Sequence, residues 1–218
     1  MTLLSFLTQH ELNAFHKVIQ ESLYVRRHHD LFSWLNGDFQ QFIPHDVLLT
    51  AWGNFSLGVV QINVVSRLAG VRTTEIDKQA LMPFLTRMFE RWSASAWAPL
   101  ELSVENERHR LFPGPNDGSF GRAIGQQHSA LVHGIKDERG RHDCLYVALS
   151  SRAVMPPNAS DWIVLLLPYI DTALRQVAHL PNQYPDRPEA ENPPHNRRAS
   201  DRLVPPTEME GIELSDRE

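Results

Sequence analysis

The residues with chemistry to offer are few and scattered. His45 and Asp46 are adjacent, and an imidazole beside a carboxylate is the composition of an acid/base pair. At a strand start, however, neighbours face different ways, so the two do not converge on one reacting atom; Asp46 reads as the residue that fixes a turn. Gly118-Ser119-Phe120-Gly121-Arg122 precedes a short helical run and offers backbone amides to an anion. It matches neither the dinucleotide fingerprint nor the P-loop, and structural loop glycines account for it better. His28 and His29 point to different sides of a helix, which suits a solvated helix start rather than metal chelation. Cys144 is the only cysteine and lies in an apolar run, so it reads as a small core residue rather than a nucleophile. One cysteine excludes an internal disulfide and a Cys-based zinc site built from one chain. No catalytic residue, metal or cofactor is expected.

The aromatic residues offer binding instead. Trp52, Phe55, Trp92, Trp97 and His133 are the candidate lining of an apolar small-molecule pocket. The competing reading is that they are ordinary core aromatics and a satisfied strand histidine.

The elements that must position these residues follow from periodicity. Thr8 and Glu11 have capping-box spacing for a first helix to about Tyr24, with Leu12, Phe15, Val18, Ile19 and Leu23 as its stripe. Leu31, Phe32, Leu35, Phe39, Phe42 and Ile43 recur at helical spacing, which predicts a helix that Pro44 ends. Val47 to Trp52 and Gly58 to Val65 then form a hairpin across Gly53 to Leu57. The second strand alternates Val60, Ile62 and Val64 with Gln61 and Asn63. Ser66 to Thr74 is a loop holding Gly70 and Arg72.

Ile76 to about Ala94 is a helix with Leu81, Phe84, Leu85, Met88, Phe89 and Trp92 on one face and Pro83 near its first turns. Leu100 to Val104 is a half-buried edge strand. A proline- and glycine-rich loop, a short helix over Phe120 to Gln127, and strands Ala130 to Ile135 and Asp143 to Ser150 follow. Gly140 in the connecting turn is placed for a positive φ. Asn158 caps a last helix that Pro168 should kink. Apolar residues occupy more than one face of that helix, so it should contact two bodies, the sheet and a second protomer. The expected interface is Leu12, Phe15 and Ile19 with Trp162, Leu166, Tyr169 and Ala173.

This order of elements predicts an α/β chain of the α+β kind: a PAS/GAF-like five-stranded antiparallel sheet with helices on both faces. It spans residues 1–180. From Pro181 to Gly211 prolines alternate with Asp, Glu, Asn and Arg and almost no large apolar residue, a segment that cannot bury enough surface to order itself and reads as a disordered linker. Ile212 to Glu218 follows.

Two stretches carry a resemblance. FSWLNGDFQQFIPHDVLLTAWGNF, Phe32 to Phe55, continues to Val65-Ser66 and Gly70-Val71-Arg72-Thr73. It resembles the sensor half of a LuxR-type regulator family that accompanies exopolysaccharide and exosortase gene clusters, most densely from His29 to Thr73. Leu214-Ser215-Asp216-Arg217-Glu218 resembles the capped opening of a LuxR-type DNA-binding domain. The resemblance implies a cytoplasmic transcription factor with an N-terminal sensing and dimerising domain. Its helix-turn-helix domain would begin in residues 212–218, the remainder being missing from this chain. The Trp/Tyr/Asp constellation of acyl-homoserine-lactone sensors is not matched, so no lactone ligand is carried over.

Composition agrees with that division. The 218 residues carry a formal net charge of −5, which argues against nucleic acid as the direct partner of this portion. Lysine occurs only at Lys17, Lys78 and Lys136, and the arginines are scattered. The longest apolar run, Trp162 to Leu167, is far too short to span a membrane, and the N-terminus lacks secretory features. The expected partners are a second copy of the chain, an unidentified small molecule, and DNA only through the missing domain. The alternatives are a free-standing small-molecule enzyme and a ligand-free dimerisation module. The linker with Leu214 to Glu218 favours the regulator, and the lack of a nucleophile–base or metal constellation weakens the enzyme.

Overall fold

The structure is a computed structural model that describes residues 7–74, 77–104, 119–139 and 142–178. Helix α1, Gln9–Ser22, starts on the expected capping box: Thr8 Oγ1 accepts from the Glu11 amide at 3.2 Å, and Glu11 Oε2 accepts from the Thr8 amide at 2.8 Å. Helix α2 is His28–Asn36, with the Asp30 carboxylate accepting from the Arg26 and Arg27 amides.

The helix expected to continue to Pro44 ends at Asn36 instead. It breaks at Gly37, whose ψ of −132° is not helical, and resumes as a single 3-10 turn, Asp38–Gln41. Glycine is the weakest helix former after proline, so the break falls there and ahead of Pro44. The apolar face survives the break. Leu31, Trp34, Leu35, Phe39, Phe42 and Ile43 are all buried, and Trp34 Nε1 donates to the Val18 carbonyl at 2.9 Å.

Strands β1, Val47–Asn54, and β2, Val59–Ser66, form the expected hairpin. At Gly53, φ is +140°, and a Cβ would stand 2.2 Å from the Val59 carbonyl oxygen, so the strand end needs glycine. Helix α3, Lys78–Ala94, begins two residues later than expected, because the Asp77 carboxylate caps it on the Gln79 amide at 2.9 Å. Pro83 sits inside it. Strand β3, Leu100–Ser103, helix α4, Ser119–Gly125, strands β4, Ser129–Ile135, and β5, Asp143–Ser150, and helix α5, Ala159–Ala178, complete the chain order. The turn glycine Gly140, the linker 181–211 and residues 212–218 lie outside the described residues.

The five strands form one antiparallel sheet in the order β2-β1-β5-β4-β3. The expected α+β architecture, a five-stranded antiparallel sheet with helices on both faces, is the one observed. The pleat divides the core in two. Leu48, Trp52, Tyr146 and Ala148 join α1, α2 and α5 on one face. Val47, Leu49, Ala51, Leu145, Val147 and Leu149 join Leu81, Phe84, Leu85, Met88 and Trp92 of α3 on the other. Strand β5 is buried along its whole length because both of its faces are covered. Among the described residues, no helix is long and apolar enough to cross a membrane.

Helix α5 does contact two bodies, but both belong to the same chain. It lies against β4 of the sheet and against α1 and α2. Trp162 packs on Phe15 and Phe42 with ring centroids 5.4 and 4.5 Å apart. Trp162, Leu166 and Ala173, expected at a dimer interface, are therefore buried within one protomer, with Leu166 fully inaccessible. The surplus apolar face that suggested a second copy is covered by α1 and α2. Leu12, Phe15, Ile19 and Tyr169 remain half-buried.

Candidate ligand site

Four of the five expected pocket residues come together. Phe55 at the end of β1 stacks on Phe89 of α3, with centroids 4.2 Å apart and planes 5° from parallel. Phe89 meets Trp92 and Trp97 edge-on, and Trp92 meets Trp97 at 4.8 Å and His133 at 6.0 Å. Ala96 and Trp97 both have positive φ, 56° and 66°, the left-handed region that non-glycine residues seldom enter. That bend brings the Trp97 carbonyl back to accept from Trp92 Nε1 at 3.1 Å. The Lys136 ammonium sits 4.3 Å from the centre of a Trp97 ring, a cation–π contact. Burial pushes the His133 pKa down, so its imidazole favours the neutral form.

Trp52 does not belong to this group. Its parity on β1 matches Leu48, so it points to the face covered by α1, α2 and α5, with the sheet between it and Trp92. One lining that holds both Trp52 and Trp92 is excluded by the pleat. Trp92 is also tightly seated. A Cβ on Gly134 would lie 2.6 Å from its ring, so the indole rests directly on the β4 backbone.

A concavity lies elsewhere, and sequence reasoning missed it. It has a volume of about 780 Å³ and runs between the start of α2 and the outer edge of β2. His28, His29, Leu31 and Phe32 form one wall; Asn63 to Ala69 and Arg72 to Thr74 form the other. The size is within the range of small-molecule sites.

Hydrogen bonds fix the second wall. Thr73 Oγ1 accepts from the Val64 amide at 2.9 Å and donates to Asn63 Oδ1 at 2.6 Å, so the loop closes on the free edge of β2. Ser66 Oγ donates to the Asp46 carbonyl and accepts from the Leu68 amide. Val71 is fully buried as the loop's anchor. Arg67 Nε donates to Asp46 Oδ1 at 2.9 Å, its Nη2 pairs with the same oxygen, and Asp46 Oδ2 accepts from the Ser151 amide at 2.8 Å. Burial alone would raise the Asp46 pKa, but the hydrogen bonds from Ser151 and Arg67 outweigh it and hold the carboxylate below its usual value.

Asp46 is therefore a structural tie between β5 and the groove loop. Its neighbour His45 is buried, with Nδ1 2.8 Å from the Ile43 carbonyl, and burial lowers its pKa to about 4. The pair does not converge, as the strand geometry required.

The groove lining holds two histidines and two arginines and no carboxylate. Asp30 stands 4.0 Å from His29, and Asp46 satisfies Arg67. Arg72 is exposed, and among the described residues no carboxylate pairs with it. The sequence did contain a signal: basic residues at positions 28–29 and at 67 and 72. Nothing local said that the two clusters face each other. Among the described residues, no three His, Cys, Asp or Glu side chains gather where they could hold a metal ion.

No protein-family model matches the chain, and no curated protein matches it. Solved structures do. The N-acylhomoserine lactone dependent LuxR-family factor CepR2 of Burkholderia cenocepacia aligns at a TM-score of 0.44 and 10% identity, over 75% of this chain and 93% of that one. The GAF domain of a phosphoenolpyruvate-protein phosphotransferase of Coxiella burnetii aligns at 0.46 and 13%, over 77% and 92%. The LBD domain of VqsR of Pseudomonas aeruginosa aligns at 0.47 and 12%, over 78% and 99%.

Proposed function

We propose that this chain is the sensory and dimerising portion of a LuxR-type transcriptional regulator, one that controls exopolysaccharide biosynthesis genes. The observation that carries the reading is a coincidence of position. The stretch that resembles the sensor half of that regulator family, His29 to Thr73, supplies nearly all of the groove between α2 and β2. A sensor needs a concavity with a few polar groups and apolar walls, and this stretch provides one. The chain carries no chemistry in this reading: it binds, and binding changes how the regulator pairs or engages a promoter. The aromatic group of Phe55, Trp92, Trp97 and His133 serves as the packed support of the sheet's α3 face. Pairing of two copies uses the half-exposed side chains Leu12, Phe15, Ile19 and Tyr169, together with Val164, which is 47% exposed. DNA is engaged through a helix-turn-helix domain that opens near Leu214, where the second stretch of resemblance begins.

The test is a gel-shift series on promoters of exopolysaccharide genes. The protein encoded by the complete reading frame should shift one promoter specifically at physiological salt, and residues 1–218 alone should not. A complete reading frame that ends at Glu218, or a specific shift by residues 1–218, refutes the reading.

A further inference from the structure

We infer that the groove between α2 and β2 takes a soluble anionic amphiphile, a carboxylate or phosphate head on a short apolar chain. The inference rests on the reading of this chain as a sensor and adds the chemical class of what it senses.

Two features of the lining point the same way. The first is charge. The lining side chains that can ionise are His28, His29, Arg67 and Arg72, and all of them are basic. Arg67 is held by Asp46, but Arg72 is exposed, and no described carboxylate pairs with it. An arginine at the rim of an apolar groove binds a carboxylate or phosphate through two parallel N–H donors. The second feature is the apolar floor. Leu31 is buried beneath the groove, Phe32 is 40% exposed beside it, and Leu68 lines the opposite wall. Large apolar side chains left in contact with water next to a cation match a ligand that is apolar at one end and anionic at the other.

Bonds already made on the lining oppose two other occupants. A peptide adding a strand to β2 needs its outward amides and carbonyls. At Val64 the amide is already taken by Thr73 Oγ1, which also stands 3.3 Å from the Val64 carbonyl. At the start of α2 the Asp30 carboxylate already accepts from the Arg26 and Arg27 amides, so an anion bound there would meet a like charge. The exposed Arg72 guanidinium offers the paired donors, so the head group belongs there and the chain lies along Phe32 and Leu68.

The experiment is titration calorimetry on the 218-residue chain with octanoate and octyl phosphate, with octanol and octylamine as controls. One site per chain is expected for the two anions and none for the controls. Arg72→Gln should weaken both anions at least tenfold while leaving the circular dichroism unchanged. Phe32→Ser should weaken them similarly through the apolar end, and Arg139→Gln, on the exposed β4–β5 turn, should leave affinity unchanged. Absence of binding, equal binding of octylamine, or indifference to Arg72→Gln overturns the proposal. So does cosedimentation with phosphatidylglycerol vesicles in place of monomer binding, which would make the partner a lipid surface. Each of these failures leaves the promoter gel shift untouched, so loss of the ligand class and loss of the regulator reading are told apart.

Discussion

The Tyr146 hydroxyl donates to Asp171 Oδ1 at 2.5 Å, and Arg175 Nε donates to the other oxygen of the same carboxylate at 2.6 Å. Tyr146 belongs to β5, and the other two belong to α5. A half-buried carboxylate shared between a phenol and a guanidinium is thus what registers the last helix on the sheet. Burial, with the neighbouring Asp171 charge, holds the Tyr146 pKa well above its usual value, so the phenol stays a donor.

That geometry makes the three residues unequal. Tyr146→Phe should cost about 1 kcal/mol, since Asp171 keeps Arg175. Asp171→Ala should cost about 3 kcal/mol, since it leaves the buried Tyr146 hydroxyl unpaired and breaks the ion pair to Arg175, whose Nη2 keeps its contact with Cys144 Sγ. Urea denaturation of the two variants and the double variant measures this; equal costs would mean that the carboxylate is not the hub.

Gly134 is the seat of an indole. Gly134→Ala places a Cβ 2.6 Å from the Trp92 ring and 2.3 Å from the Cys144 carbonyl oxygen, a backbone atom that cannot swing away. The expected cost is about 1–3 kcal/mol, the range for overpacking. A changed tryptophan emission spectrum should accompany it, because Trp92 is displaced. Unchanged stability with unchanged emission would show that the ring does not rest there.

His45 supplies a pH dependence. Burial lowers its folded pKa from 6.5 to about 4, so the native state binds fewer protons than the unfolded chain between those values. Stability should therefore fall as pH drops from 6.5 toward 4, by about 3 kcal/mol in all. His45→Gln should flatten that slope. Asp46, with its carboxylate held below the usual range, loses its contribution only at more acidic pH. Asp143 runs the other way, because burial raises its pKa and protonation relieves it in acid. The difference between wild type and His45→Gln isolates the histidine.

Dimerisation separates two residues one turn apart on α5. Tyr169 is half-buried, whereas Leu166 is fully buried in the protomer. Light scattering should report twice the chain mass for wild type and one chain mass for Tyr169→Glu, with little change in melting temperature. Leu166→Ala should instead lower stability by about 2–5 kcal/mol. A monomeric wild type at tens of micromolar would remove dimerisation from the proposed function.

What the sequence determined by itself is local. Alternation in Val60, Ile62 and Val64, the Thr8–Glu11 capping box and the α3 stripe from Leu81 to Trp92 follow from backbone periods of 2 and 3.6, which any reader of the chain can count. The sheet with helices on both faces followed from the order of those elements. Tertiary structure decided which face each candidate joined. Trp52 and Phe55 are three residues apart, and the pleat with the Gly53 turn puts them on opposite sides of the sheet. It also decided what covers α5: the periodicity showed a surplus apolar face, but only the packing of α1 and α2 named its occupant. The groove is the clearest case. His28 and Arg72 are separated by two strands in sequence and brought together because the loop after β2 is pinned by Thr73 and Asp46 beside the start of α2. Contacts between distant segments depend on how layers close over one another, and no local period encodes that closure.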